Sequence, residues 1–149
     1  MTTKDRLTRG LLAGIAGGVI MSIVDLILTF LGWVKHPYYD WGLSLLTGST
    51  SGTLFETVIG QIIHFIFTGV LGVFYTYIVL LIPSRNYLLR GWLYGVIIFF
   101  AIHVTVNLFG FQPLRPIPTS QLLSDFVTAS IFGLVLAETM NRFTLKKIR

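Results

Sequence analysis

Four long apolar runs, at 10–34, 53–82, 91–111 and 120–140, decide what this chain can fold into. As helices rising 1.5 Å per residue, the third and fourth are each about 31 Å long, matching a hydrocarbon core of roughly 30 Å. The first and second are longer and must tilt or project beyond it. Strand-like alternation is missing, since Val96-Ile97-Ile98-Phe99-Phe100 is apolar on every face. The expected fold class is all-α: one polytopic membrane domain over residues 1–149, with four transmembrane helices arranged as two in–out–in hairpins. Composition agrees, with 54% hydrophobic residues, 11% charged residues and a mean hydropathy of +0.79. A soluble domain carries about 25% charged residues, and a chain this short has too few polar groups to cover its apolar surface. The first run is too long for a secretory signal and has no small-residue cleavage site, so it is expected to stay as an anchor.

Nine of the eleven Lys and Arg residues fall on one side of these spans. Lys4, Arg6 and Arg9 precede the first, Arg85 and Arg90 separate the second from the third, and Arg142, Lys146, Lys147 and Arg149 follow the fourth. Lys35 and Arg115 fall on the other side, which places both termini in the cytoplasm. The net charge of +5 and pI of about 9.8 express this bias and an attraction to anionic lipid; they imply no nucleic-acid partner. Trp33, Tyr38, Tyr39 and Trp41 mark the outer water interface, and Tyr87 and Trp92 the inner one. The first outer loop opens His36-Pro37-Tyr38-Tyr39-Asp40-Trp41, expected to lie as a short interfacial segment, and closes in the flexible turn Thr47-Gly48-Ser49-Thr50-Ser51-Gly52.

Several chemistries are excluded or left without support. The chain has no cysteine, hence no disulfide, thiolate metal site or cysteine nucleophile. Ser22, Ser124 and Ser130 lie in spans, outside any Gly-x-Ser-x-Gly elbow, and no phosphate-cradling glycine loop is present. Neither an enzyme nor a cofactor is expected. Gly10, Gly14 and Gly18, with Gly69 and Gly72, form small faces along which membrane helices approach closely.

The chain also resembles itself. Arg9-Gly10-Leu11-Leu12-Ala13-Gly14 opens the first span and Arg90-Gly91-Trp92-Leu93-Tyr94-Gly95 the third; they end Phe30-Leu31-Gly32-Trp33 and Leu108-Phe109-Gly110-Phe111. Phe67-Thr68-Gly69-Val70-Leu71 stands beside Phe132-Gly133-Leu134-Val135-Leu136. The two hairpins read as a parallel repeat about an axis along the membrane normal. Counted from these anchors, Asp25 corresponds to His103, Thr29 to Asn107, Gln61 to Asp125 and His64 to Thr128.

Polar groups therefore recur at equivalent depth, and an ionisable group inside a span costs about 2.5–3.5 kcal/mol on insertion scales. Asp25, His64, His103, Asn107, Asp125, Gln61 and Glu56 are expected to converge on one pocket in the outer half of the bundle. Three uses compete. The groups can be satisfied pairs that hold the helices together. They can pass protons or bind a small polar or cationic solute. They can bind a divalent metal, although no His-x-x-x-His or His-Glu-x-x-His spacing supports this. Glu138 stands one turn before Arg142 and is explained by an ion pair between them.

The stretch from Gly60 to Arg142 carries a resemblance. With His64, the Arg90-Gly91-x-Leu-x-Gly opening, His103, the Gly110, Pro113 and Pro116 loop and Glu138, it resembles the small YagU-like and YqhR-like bacterial inner-membrane proteins. That resemblance implies a bacterial cytoplasmic-membrane location and no particular reaction. The expectation is a transporter- or channel-like protein working in the lipid bilayer, with a proton or small solute in the polar pocket. The alternative is a non-transporting scaffold whose buried Asp and His pairs only stabilise the bundle. A homo-oligomer is expected, joined through the face of Gly10, Gly14 and Gly18.

Overall fold

The computed structural model describes residues 3–81, 84–110 and 112–145. Ile82, Phe111, Lys146, Lys147 and Arg149, to which the sequence assigns span ends and inner-side charge, lie outside these, as does the side chain of Lys4. Five helices are described and no strand among the described residues: α1 Thr3–Phe30, α2 Tyr38–Thr47, α3 Leu54–Ile78, α4 Tyr87–Leu108 and α5 Thr119–Leu145. Four are long and apolar enough to cross a membrane, over Arg6–Phe30, Leu54–Ile78, Tyr87–Leu108 and Thr119–Phe143.

The ends differ from the apolar runs because caps, not hydropathy, stop helices. α1 ends at Phe30, four residues before the apolar run does, where Gly32 turns left-handed at φ 78° and Trp33 N–H returns to Leu28 O at 3.0 Å. α4 starts four residues before its run, because Asn86 Oδ1 accepts from the N–H groups of Leu88 and Leu89. It stops before Gly110, left-handed at φ 62°.

The long helices pack in the order α3–α1–α5–α4: α1 packs on both α3 and α5, and α4 packs on α5. Two of these crossings rest on glycine. A Cβ at Gly14 would lie 2.2 Å from Thr68 O, and one at Gly72 would lie 2.1 Å from Gly10 O. Across the other pair, a Cβ at Gly91 would lie 2.3 Å from Gly133 O and one at Gly95 2.2 Å from Ala129 O. Backbones this close gain dispersion contacts, the main attraction left to helices surrounded by lipid. The Gly10, Gly14 and Gly18 face is therefore filled by α3 of the same chain, not by a second copy. At the end opposite α2, Glu138 accepts from Arg142 Nε at 2.7 Å and from Tyr87 OH at 2.8 Å, so the expected ion pair forms and also ties α4 to α5.

The loop segment expected at the interface behaves differently. After α1 the chain folds back, and α2 begins at the level of Asp25 and runs against the first half of α3, where Gly42 meets the Gly60 carbonyl. Trp41, Leu43 and Ser44 are buried by this packing.

Gly14→Leu should lower the thermal midpoint in detergent by the equivalent of about 1–3 kcal/mol, the usual cost of overpacking. Gly52→Ala, whose added carbon meets nothing nearer than Glu56 Oε2 at 3.5 Å, should leave it unchanged.

Candidate functional site

The polar cluster is organised by Tyr38, the first residue of α2. Its N–H donates to Asp25 Oδ2 of α1 at 2.9 Å, so a carboxylate of another helix caps α2, whose own N-cap, Pro37, makes no side-chain bond. Its ring stacks on the His64 ring of α3, centroids 4.8 Å apart and planes 12° apart. Its hydroxyl meets Thr128 Oγ1 of α5. Thr128 Oγ1 donates to Ser124 O at 2.9 Å, so its lone pair accepts and Tyr38 is the donor. Burial, then the nearby carboxylates of Asp125 and Asp25, push the Tyr38 phenol well above its ordinary range and keep it a neutral donor.

A second pair joins α4 to α5. His103 Nε2 lies 3.2 Å from Asp125 Oδ2, and His103 Nδ1 lies 3.0 Å from Phe99 O. A carbonyl only accepts, so Nδ1 carries a proton. One further proton then sits between Nε2 and Oδ2, making the pair either imidazolium with carboxylate or imidazole with carboxylic acid. Asp25 Oδ1, Asp125 Oδ1 and His64 Nε2 are buried without a hydrogen-bond partner among the described residues. No three His, Asp or Glu side chains among those residues are grouped to hold a metal ion.

The loop that delivers α2 is held by Gln121, which the sequence does not single out, and by Trp41 and Asp40. Gln121 of α5 is fully buried; its Oε1 accepts from Lys35 N and His36 N, each at 3.2 Å, and its Nε2 donates to His36 O at 2.9 Å. Trp41 Nε1 also donates to His36 O, at 3.0 Å. Asp40 Oδ1 accepts from Ser51 N at 2.9 Å and closes the turn into α3.

The seven residues expected to converge are divided. Asp25, His64, His103 and Asp125 surround Tyr38 and Trp41. Gln61 turns toward α1, donating to Ser22 Oγ at 3.0 Å. Asn107 is exposed, bonded through Nδ2 to His103 O and through Oδ1 to Arg115 Nη2 at 2.7 Å. Glu56 completes a capping box with Thr53 at the start of α3, accepting from Thr53 N at 2.9 Å. One pocket holding all seven is not what forms.

What forms instead is a cleft of about 490 Å³ between α3 and α4. Ile63, Phe67 and Leu71 of α3 face Ile98, Ile102 and Val106 of α4, with Phe132 of α5 behind them. α2 roofs one end, where Trp41 meets His103 with ring centroids 5.5 Å apart. Beyond Leu71 and Ile98, which line the other end, α3 and α4 meet where Tyr94 donates to Leu71 O at 2.6 Å and packs on Tyr75. His64, His103 and Asp125 supply polar groups at the roofed end, and the exposed Phe67, Leu46 and Ala101 form the open rim. Compared with protein-family models, curated proteins and solved structures, the chain matches none.

Asp25→Leu leaves the Tyr38 N–H buried and bare and should cost about 1–3 kcal/mol of stability, whereas Asp25→Asn keeps an acceptor and should cost less. Tyr38→Phe should cost about 1 kcal/mol, and a Thr128→Val background should abolish that cost. Thermal midpoints of the four variants and the double variant decide both.

Proposed function

We propose that the chain is a small polytopic membrane protein that handles a lipid-like amphiphile in the cleft between α3 and α4. The role is transporter-like, with hydrocarbon rather than a hydrated ion occupying the path. The observation that carries this is the cleft itself: its volume lies in the small-molecule range, its walls are apolar and it opens between two membrane-spanning helices. The same walls argue against the small cationic solute expected from the polar groups in the spans, because a cation would face apolar side chains over most of the path. Proton handling keeps one support, the contact of His103 Nε2 with Asp125 Oδ2 beside the cleft.

The scaffold alternative is favoured by a different observation. Asp25, Tyr38, His103 and Asp125 each hold a tertiary contact, so their polar groups already have structural work. The two readings part on occupancy. Native mass spectrometry from bilayer nanodiscs should show an amphiphile retained by the protein and lost in Ala101→Trp, which fills the rim. An identical, ligand-free spectrum for both proteins favours the scaffold.

The proposal includes cytoplasmic termini, a bacterial cytoplasmic membrane as the YagU-like and YqhR-like resemblance implies, no enzymatic activity, and self-association through a face other than the filled glycine face. It also includes a repeat relation between the α1–α3 and α4–α5 hairpins, supported by their glycine crossings. Ser49→Cys should react with an impermeant maleimide on intact cells, and Arg85→Cys only after lysis.

A further inference from the structure

A second cavity, of about 280 Å³, lies beside the end of α4 near α2, lined by His103, Asn107, Arg115, Pro116, Ile117 and Leu122. His103 lines both cavities. We infer that the two take opposite ends of one ligand, a single-chain amphiphile with an anionic phosphate or carboxylate head, its head at Arg115 and its tail in the cleft. This rests on the reading of the cleft as a lipid-chain site and adds the chemical class of the head.

Charge separates the two ends. Arg115 is exposed and supplies a full positive charge to the smaller cavity, and no Asp or Glu lines it. Its bond to Asn107 Oδ1 orients the guanidinium without neutralising it, because an amide carries no charge. The guanidinium fork suits the oxygens of a phosphate or carboxylate. Asp125 lines the larger cavity, so an anionic head placed there would meet a carboxyl group on apolar walls. The tail belongs in the cleft and the head outside it.

Length and order agree. α4 contributes residues from Ile98 to Val106 to the cleft, a rise of about 12 Å, and Asn107, the next residue, already lines the smaller cavity. His103 borders both cavities, and a chain lying along α4 would cross from one to the other beside it. The head then sits where α4 ends and the tail points toward the middle of the helix. A lipid in a bilayer leaflet has the same order.

The test titrates dodecyl phosphate, dodecanol and inorganic phosphate against the protein in nanodiscs, as wild type, Arg115→Gln, Arg115→Lys and Ala101→Trp. Dodecyl phosphate should bind wild type about tenfold more tightly than dodecanol, roughly the effect of one charge-assisted hydrogen bond. Arg115→Gln should erase that difference with an unchanged thermal midpoint, and Arg115→Lys should restore most of it. Equal binding of the two alkyl probes, indifferent to Arg115→Gln, overturns the anionic head and leaves the cleft reading standing. Alkyl binding that survives Ala101→Trp overturns the cleft reading itself. Inorganic phosphate bound through Arg115 with no gain from an alkyl chain shows a free-anion pocket and overturns the joined site.

Discussion

The structure depends on one hydrogen bond between helices, from the Tyr38 amide to the Asp25 carboxyl group. A helix start exposes amide groups that need acceptors, and α2 starts against the bundle, where its own N-cap, Pro37, supplies none. Asp25 supplies the acceptor. Once Tyr38 is fixed, its ring covers His64 and its hydroxyl reaches Thr128, joining α1, α3 and α5 at one residue. Trp41, one turn further along, then reaches His103 and roofs the cleft. Remove the inward turn and the cleft loses its end wall.

The glycine crossings explain why so apolar a chain holds a definite arrangement. Hydrocarbon side chains gain little by leaving lipid for one another, so helix pairs are chosen by how closely their backbones approach. Gly10 and Gly14 select α3, while Gly91 and Gly95 select α5. The contact of α1 with α5 joins the two pairs, with the Phe132 ring against Gly17. α3 and α4 are left facing each other without packing along their lengths, and the cleft is the space between them.

Much of this was legible in the residues. The four long helices follow from apolar runs of sufficient length, and the Glu138–Arg142 pair from helical spacing. Asp25, His64, His103 and Asp125 were recognisable as interior groups because the cost of exposing them to lipid permits nothing else. Glu56 and Asn107 lie outside the cluster expected to hold them, and for Glu56 the local chemistry is in the sequence: Thr53-x-x-Glu56 is a capping-box pattern, and capping explains the carboxylate without a pocket. Pro37 followed by Asp40, with Gly48 at the far end, carries helix-boundary signals, yet the inward direction of α2 was not legible. It depends on Asp25 meeting an amide thirteen residues later, a contact no local pattern encodes. Tyr38 has the sequence setting of an interface aromatic, which most tyrosines beside a span are. Gln121 carries no charge to announce it, and its importance lies in the backbone groups of a loop eighty-five residues away. Glycine spacing announces a close approach but not the partner, and on the Gly10, Gly14 and Gly18 face the partner is α3 and not a second copy.

The order of helix contacts has a mechanical consequence. α1 and α5 form a central block, and α3 and α4 are two jaws, each fastened to its own side of that block by glycine. The jaws meet at Tyr94, whose hydroxyl donates to the Leu71 carbonyl and whose ring packs on Tyr75, while the opposite end is bridged by Trp41 from α2. Spreading the jaws at the Tyr94 end therefore separates the contacts of that residue and leaves both glycine seams intact. Such a molecule is built like a pair of tongs, firm at the pivot and lightly fastened at one end of the grip.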